Sequence, residues 1–246
     1  MLFFLVSDFE KKLKLPPNML LFRTSIRKST QQNNEYLLPY VWEYFDNETT
    51  PLPKTDLPII GFCGNVKNNM GKRLSTIKVF EKSDKVQSNF DLKKEFWGGK
   101  PGDQELIENF KNNIINSHFT ICNRGRGNFA IRFYQVLSLG RIPILVDSDM
   151  IFPFDNEINW NNLIIKSNDE SKLLEDVLNF WRLKSNEEIV QLQMDCKKVH
   201  ENYFTQSSYS DNLLAFLTQK RNEPLIVELN LFTKINNWFK SLKKLI

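Results

Sequence analysis

Residues 119–160 read FTICNRGRGNFAIRFYQVLSLGRIPILVDSDMIFPFDNEINW, and the fold is decided there. The apolar run Phe119–Cys122 predicts a buried strand. A basic, glycine-containing loop follows at Asn123–Gly127, then a helical pattern over Asn128–Leu139, a stop at Gly140 and a second strand at Ile142–Val146. That order is a β-α-β unit whose first loop opens onto a helix N-terminus. Unpaired amides and the positive end of the helix dipole converge at such a place and attract anions. Three of the nine glycines, Gly125, Gly127 and Gly140, fall at its turns, and Arg124, Arg126 and Arg132 fall in the loop and on the first turns of the helix. The pattern implies a phosphate-bearing ligand.

Working upstream, Leu57–Cys63 reads as a strand ending in Gly61 and Gly64, followed by a helix near Gly71–Phe80 that carries Arg73. Lys82–Gly102 reads as irregular. Asp103–Asn116 reads as a helix with Asp103 at its N-cap and Leu106, Phe110 and Ile114 on one face. Downstream come a proline-containing loop (Met150–Asn159), a short strand at Leu163–Lys166 and helices through Lys220. The first of these carries an apolar stripe of Leu173, Leu174, Val177, Leu178 and Trp181. Strands alternating with helices predict an α/β fold with a parallel sheet covered on both faces. Nearer the N-terminus, Leu2–Val6 and Met19–Arg23 read as strands and Glu35–Trp42 as a helix or a loop. Asp46–Pro58, with Pro51, Pro53 and Pro58, is the best linker candidate.

With 246 residues, 41% hydrophobic and 25% charged, the chain has the composition of an ordinary globular protein. A net charge of +4 gives no vote for nucleic acid, and the basic loop lacks the interleaved exposed aromatics of a single-strand binder. Three cysteines without a C-x-x-C pair point to free thiols in a reducing compartment, so the expected location is cytoplasmic. His118 and His200 stand far apart without a second ligand at metal spacing; they read as surface or core-edge residues, and no metal is expected. The six apolar residues at the N-terminus are too few for a membrane span or a signal peptide. A strand beginning at the first residue implies further structure upstream. In the tail, Leu231, Ile235, Trp238, Leu242 and Leu245 form a helical stripe among Lys234, Lys240, Lys243 and Lys244. Such a helix either packs across the domains or lies on an anionic membrane as a peripheral contact.

From Cys122 to Trp160 the pattern resembles the exostosin-type glycosyltransferases. Their C-terminal half carries R-G-x-G-x-x-S-x-R-x-x-E, a glycine, I-P-V and a downstream P-F...W. The matching residues are Arg124, Gly125, Gly127, Arg132, Gly140, Ile142-Pro143, Pro153-Phe154 and Ile158-Asn159-Trp160. Phe62-Cys63-Gly64 followed by Arg73 is similar to that family's F-C-G...R element. Phe22-Arg23-Thr24-Ser25 and Asn34-Glu35-Tyr36 resemble an upstream segment of its small microbial members. The resemblance, over about residues 1–185, implies a GT-B architecture of two facing nucleotide-binding-like domains. It further implies a nucleotide-sugar donor on the C-terminal domain, inverting transfer to a glycan or other hydroxyl acceptor, and neither a cofactor nor a catalytic metal. The implied division is a partial N-terminal, acceptor-side domain (1–50), a linker (51–58), a donor-binding Rossmann-like domain (59–220) and the tail (221–246). The N-terminal domain is then abbreviated or incomplete. Two family positions differ here: Gln135 stands for the donor-contacting acid and Ala130 for the serine. Gln135 can still accept from a ribose hydroxyl, but it brings no charge.

Metal-free departure of a nucleoside diphosphate requires guanidinium groups and helix N-terminal amides to take up the developing charge. Arg73, Arg126 and Arg132 are the first candidates, with Arg124 second. Gly125 and Gly127 are turn residues or points of close approach to a phosphate. Asn128 is a helix cap or a donor contact, and Asp149, after the second strand, is a turn residue or a hydrogen-bond partner of the donor sugar. Asp8 and Glu35 are the acids best placed to act as general base. The alternative reading is a catalytically inactive remnant that binds nucleotide sugar or glycan without turnover.

Overall fold

Parallel strands need long crossover connections, and the described residues of this chain form two parallel sheets. The computed structural model describes residues 1–16, 19–41, 44–46, 48–67, 72–94, 100 and 102–222. β1 (Leu2–Leu5), β2 (Leu20–Arg23) and β3 (Glu35–Leu37) form a three-stranded parallel sheet in that order. Across one face runs an aromatic ladder: Phe4 stacks on Phe22 at 5.2 Å and Phe22 on Tyr36 at 5.3 Å. The start of the segment read as a helix or loop is therefore a strand. Its first residue, Glu35, is wholly buried against an equally buried Arg23 at 3.2 Å. A charge pair in that position ties β2 to β3, since either partner alone would be a desolvated ion.

The second sheet contains β4 (Ile59–Asn65), β5 (Gln87–Lys93), β6 (Phe119–Ile121), β7 (Ile142–Val146) and β8 (Ile165–Ser167), all parallel, in the order β5-β4-β6-β7-β8. β6 and β7 are buried at every position, the signature of a strand covered on both faces. β5 lies inside the stretch read as irregular. Its sequence QSNFDLK is mostly polar because it is an edge strand and most of its residues are at least partly exposed.

α1 (Arg73–Glu81) follows β4, α2 (Gln104–Ile115) follows β5 and α3 (Ile131–Ser138) follows β6. α4 (Glu170–Leu183) follows β8 and packs on α1, while α5 (Asn186–Tyr203) packs on α3. α2 begins as its sequence predicts, with the Asp103 carboxylate accepting from the amides of Glu105 and Leu106. α6 (Gln206–Asn222) carries the chain from one compact unit, Met1–Tyr209, into a second, Ser210–Ile246. The amphipathic stripe of the tail, residues 224–246, lies outside the described residues.

The proline-rich segment 51–58 is pinned in place. Leu52 and Gln193 exchange two hydrogen bonds, Lys54 N–H donates to Asn186 Oδ1, and the Pro53 carbonyl meets His118 Nε2 at 2.9 Å. His118 Nδ1 accepts from the Ile59 amide, so the proton sits on Nε2. Both histidines are buried, at 0% and 3% exposure, rather than at the surface or core edge. Burial holds both below the usual imidazole range, His200 at about 4. The three cysteines are free and buried.

Candidate functional site

In this sheet β5 lies on one side of β4 and β6 on the other, so the winding reverses between β4 and β6. The carboxyl ends of two such strands part and leave a crevice, where open α/β sheets bind their ligands. A cavity of about 770 Å³ opens there. One wall is basic: Lys67, Arg73, Arg126 and Arg132 reach it from the segments after β4 and β6, and Lys93 and Lys100 from β5 and beyond. Apolar and aromatic side chains line the cavity as well: Tyr40, Tyr44 and Phe45 from the N-terminal segment, Leu106, Ile107 and Phe110 from α2, and Phe129. Asp8, just past β1, completes the rim.

Arg132 sits on the second residue of α3 and is only 9% exposed. Its guanidinium lies 4.1 Å from the Phe62 ring and donates to the carbonyls of Cys63 and Ile121. Its Nε has no hydrogen-bond partner, and among the described residues it makes no ion pair with a carboxylate. Burial, and secondarily the nearby Arg73, lower its pKa to about 10, so it is still a cation at neutral pH. Gly64 makes this placement possible. Its φ of +141° is in the region that disfavours side chains, and a Cβ there would come within 2.7 Å of Arg132 Nη2.

Arg73, the first residue of α1, donates to the carbonyls of Asn123 and Asn65, and burial lowers its pKa as well. Arg126 is exposed on the loop between β6 and α3. That loop passes so close to the N-terminal segment that a Cβ on Gly127 would fall 2.7 Å from Asp8 Oδ1. Cys63 also lines the cavity, but burial, then the neighbouring Asp91 carboxylate, push its thiol up to about 11.

Four of the residues proposed from sequence are not among those lining the cavity. Glu35 is enclosed with Arg23 and has no route to a ligand. Arg124 is 2% exposed and is neutralised by Glu10. Asn128 is not the helix cap: α3 begins at Ile131 after Ala130. Its amide group instead donates to the Ile26 and Asp149 carbonyls and accepts from Arg124 and Ser148, which binds the small sheet to the loop. Asp149, at φ +62°, accepts from the Ser29 amide and hydroxyl and receives Lys28 N–H on its carbonyl.

The consequence of the moved helix start is chemical. Ala130 offers no side-chain acceptor, α3 has no acid in its first turn, and Ala130 and Ile131 line the cavity. The positive end of α3 is left for a ligand. Asp8, Arg73, Gly125, Arg126, Gly127, Arg132 and Gln135 are thus brought together around that end. Sequence reasoning missed Glu10, and it placed Leu106 and Phe110 on one face of α2 without showing that both line a cavity. Among the described residues, no group of three His, Cys, Asp or Glu side chains could hold a metal ion, and no helix is long and apolar enough to cross a membrane.

No family model matches the chain. It is 31% identical over 91 residues to exostosin-1 of Drosophila melanogaster, a match covering 37% of this chain and 12% of that protein. It is 23% identical over 118 residues to the exostosin-1 homolog of Caenorhabditis elegans, covering 47% and 30%. Two crystal structures of TarM overlap 80% of this chain and 43% of theirs: one, from S. aureus, in complex with fondaparinux, alpha-GlcNAc-glycerol and UDP (TM-score 0.48, 10% identity), and a second (TM-score 0.46, 9% identity). The chain spans less than a third of either curated relative it matches. Over part of its length, the chain is similar in sequence to exostosin-1 proteins.

Proposed function

We propose that the chain is a glycosyltransferase that uses a nucleotide-sugar donor and inverts the anomeric centre, without a metal. One observation carries the reading: Arg132, buried and charged with no carboxylate partner among the described residues, lines a cavity at the sheet's switch point beside the uncapped N-terminus of α3. Such a group calls for an anion that enters from outside. The exostosin likeness supports a sugar transfer as the chemistry that anion serves.

In this reading Arg73, Arg126 and Arg132 hold the diphosphate, with Gly125 and Gly127 allowing close backbone approach and Gln135 accepting from a hydroxyl of the donor. Asp8, at the rim, takes the proton of an acceptor hydroxyl as its oxygen attacks the anomeric carbon. The bond from that carbon to the phosphate oxygen breaks, and the diphosphate leaves with its charge met by the guanidinium groups and the α3 amides. The acceptor is a glycan or another hydroxyl compound lying along the aromatic side chains, whose rings offer flat faces for a sugar's C–H groups.

The neutral Gln135 favours one other reading, a remnant that binds donor without turnover. Incubation with a panel of nucleotide sugars and acceptors in excess chelator separates the two. Release of nucleoside diphosphate is the expected result. Thermal stabilisation by a nucleotide sugar with no release would favour the remnant, and turnover only after magnesium or manganese is added would overturn the metal-free mechanism.

A further inference from the structure

We propose that Glu10 is a positioning residue for the anion site: acting through Arg124, it sets the geometry of the Gly125–Gly127 loop. The inference rests on the assignment of that loop to a phosphate-bearing ligand. Glu10 lies in the segment after β1, far in sequence from the loop, and its side chain is 14% exposed. One carboxylate oxygen pairs with Arg124 and accepts from Ser25 Oγ, and the other meets Arg27 Nε at 2.5 Å. Arg124 in turn donates to Asn128 Oδ1 at 2.8 Å and to the Arg126 carbonyl at 2.7 Å, while Ser25 Oγ accepts from the Asn128 amide at 2.7 Å. Glu10 therefore grips both carriers that hold the loop, the guanidinium at its entrance and the hydroxyl at its exit.

The hold on the Arg126 carbonyl matters most. In a trans peptide the following N–H points opposite to the carbonyl, and the described chain has no cis bond. With the carbonyl drawn to Arg124, the Gly127 amide faces away from Arg124, and Gly127 lines the cavity. Glu10 thus orients a donor that it never touches. It also sets a negative charge beside Arg124, which does not line the cavity, so the cavity's own cations are Arg73, Arg126, Arg132 and the lysines.

Two effects of Glu10 on anion affinity have opposite signs, which makes the proposal testable. If Glu10 acted only as a charge, its removal would strengthen anion binding by unmasking Arg124. If it positions the loop, removal weakens binding. The experiment is calorimetric titration of the whole chain with inorganic pyrophosphate at fixed salt, for wild type, Glu10→Gln, Arg124→Met and the double variant. We expect each single change to weaken affinity by about fivefold or more at unchanged stoichiometry, with the double variant no weaker than the worse single one, because both act through one contact. Equal or tighter binding by Glu10→Gln overturns the proposal. Should Glu10→Gln not fold, Glu10→Asp keeps the charge and shortens the reach, and the same loss is expected of it. Wild type that does not bind pyrophosphate would refute the assignment of the site itself. Amide hydrogen exchange at residues 125–128 then judges Glu10 alone: faster exchange in the variant supports positioning, and unchanged exchange overturns it.

Discussion

Arg132 carries conflicting demands at the scale of one residue. Its guanidinium is desolvated against Phe62 and Phe110, at 4.1 and 5.5 Å from their rings, and its partners are neutral carbonyls. Such a cation is costly to bury without a counter-charge, and a phosphate entering the cavity supplies one. Arg132→Met should therefore keep or raise the melting temperature while weakening binding of a nucleoside diphosphate about tenfold or more, the loss of a charge-assisted contact. Calorimetry and thermal denaturation on the same variant check both halves, and a loss of stability with full affinity would show a structural arginine. Gly64→Ala tests the space that Arg132 occupies. A Cβ there meets Nη2 at 2.7 Å in a backbone conformation that L-residues rarely adopt, so it should lower both affinity and melting temperature.

The elements differ in how openly the sequence announces them. β6, α3 and β7 were legible because buried parallel strands are unbroken apolar runs and α3 has helical periodicity. β3 escaped because three residues carry no period, and β5 because an edge strand tolerates polar residues on both faces. The start of α3 was misplaced for a physical reason: Asn128 is a good cap by type, but its side chain is taken by the neighbouring Arg124 and by Ile26, Asp149 and Ser148 from farther along the chain. Within α5, His200 gives a prediction. Burial holds it at about 4 in the folded chain, against about 6.5 when exposed. The unfolded state thus takes up a proton that the folded state refuses. Its stabilising contribution is whole above pH 6.5 and is lost as pH falls toward 4, by about 3 kcal/mol in all. Urea denaturation at pH 7, 5.5 and 4 should show a shallower pH dependence in His200→Gln than in wild type; parallel curves would contradict it.

For the whole Met1–Tyr209 unit, the site depends on two sheets presenting strand ends to one cavity: Asp8 follows β1, Asn65 ends β4 and the Gly125–Gly127 loop follows β6. The sequence foretold a parallel sheet and the basic loop, and Arg73, Arg126 and Arg132, its candidates for holding a diphosphate, line one cavity. It could not reveal the order β5-β4-β6-β7-β8, since parallel pairing is long-range, nor which arginines are consumed by partners such as Glu10. If the proposed chemistry holds, the transferred sugar has the opposite anomeric configuration to the donor, readable by NMR of the product; retention would contradict it. The most direct measurement of the central claim is calorimetric titration of the chain with nucleoside diphosphates in excess chelator, for wild type and Arg132→Ala. One saturable site in wild type, weakened about tenfold or more in the variant, is the result expected. No binding of any nucleoside diphosphate, or binding that Arg132→Ala leaves unchanged, would contradict the account.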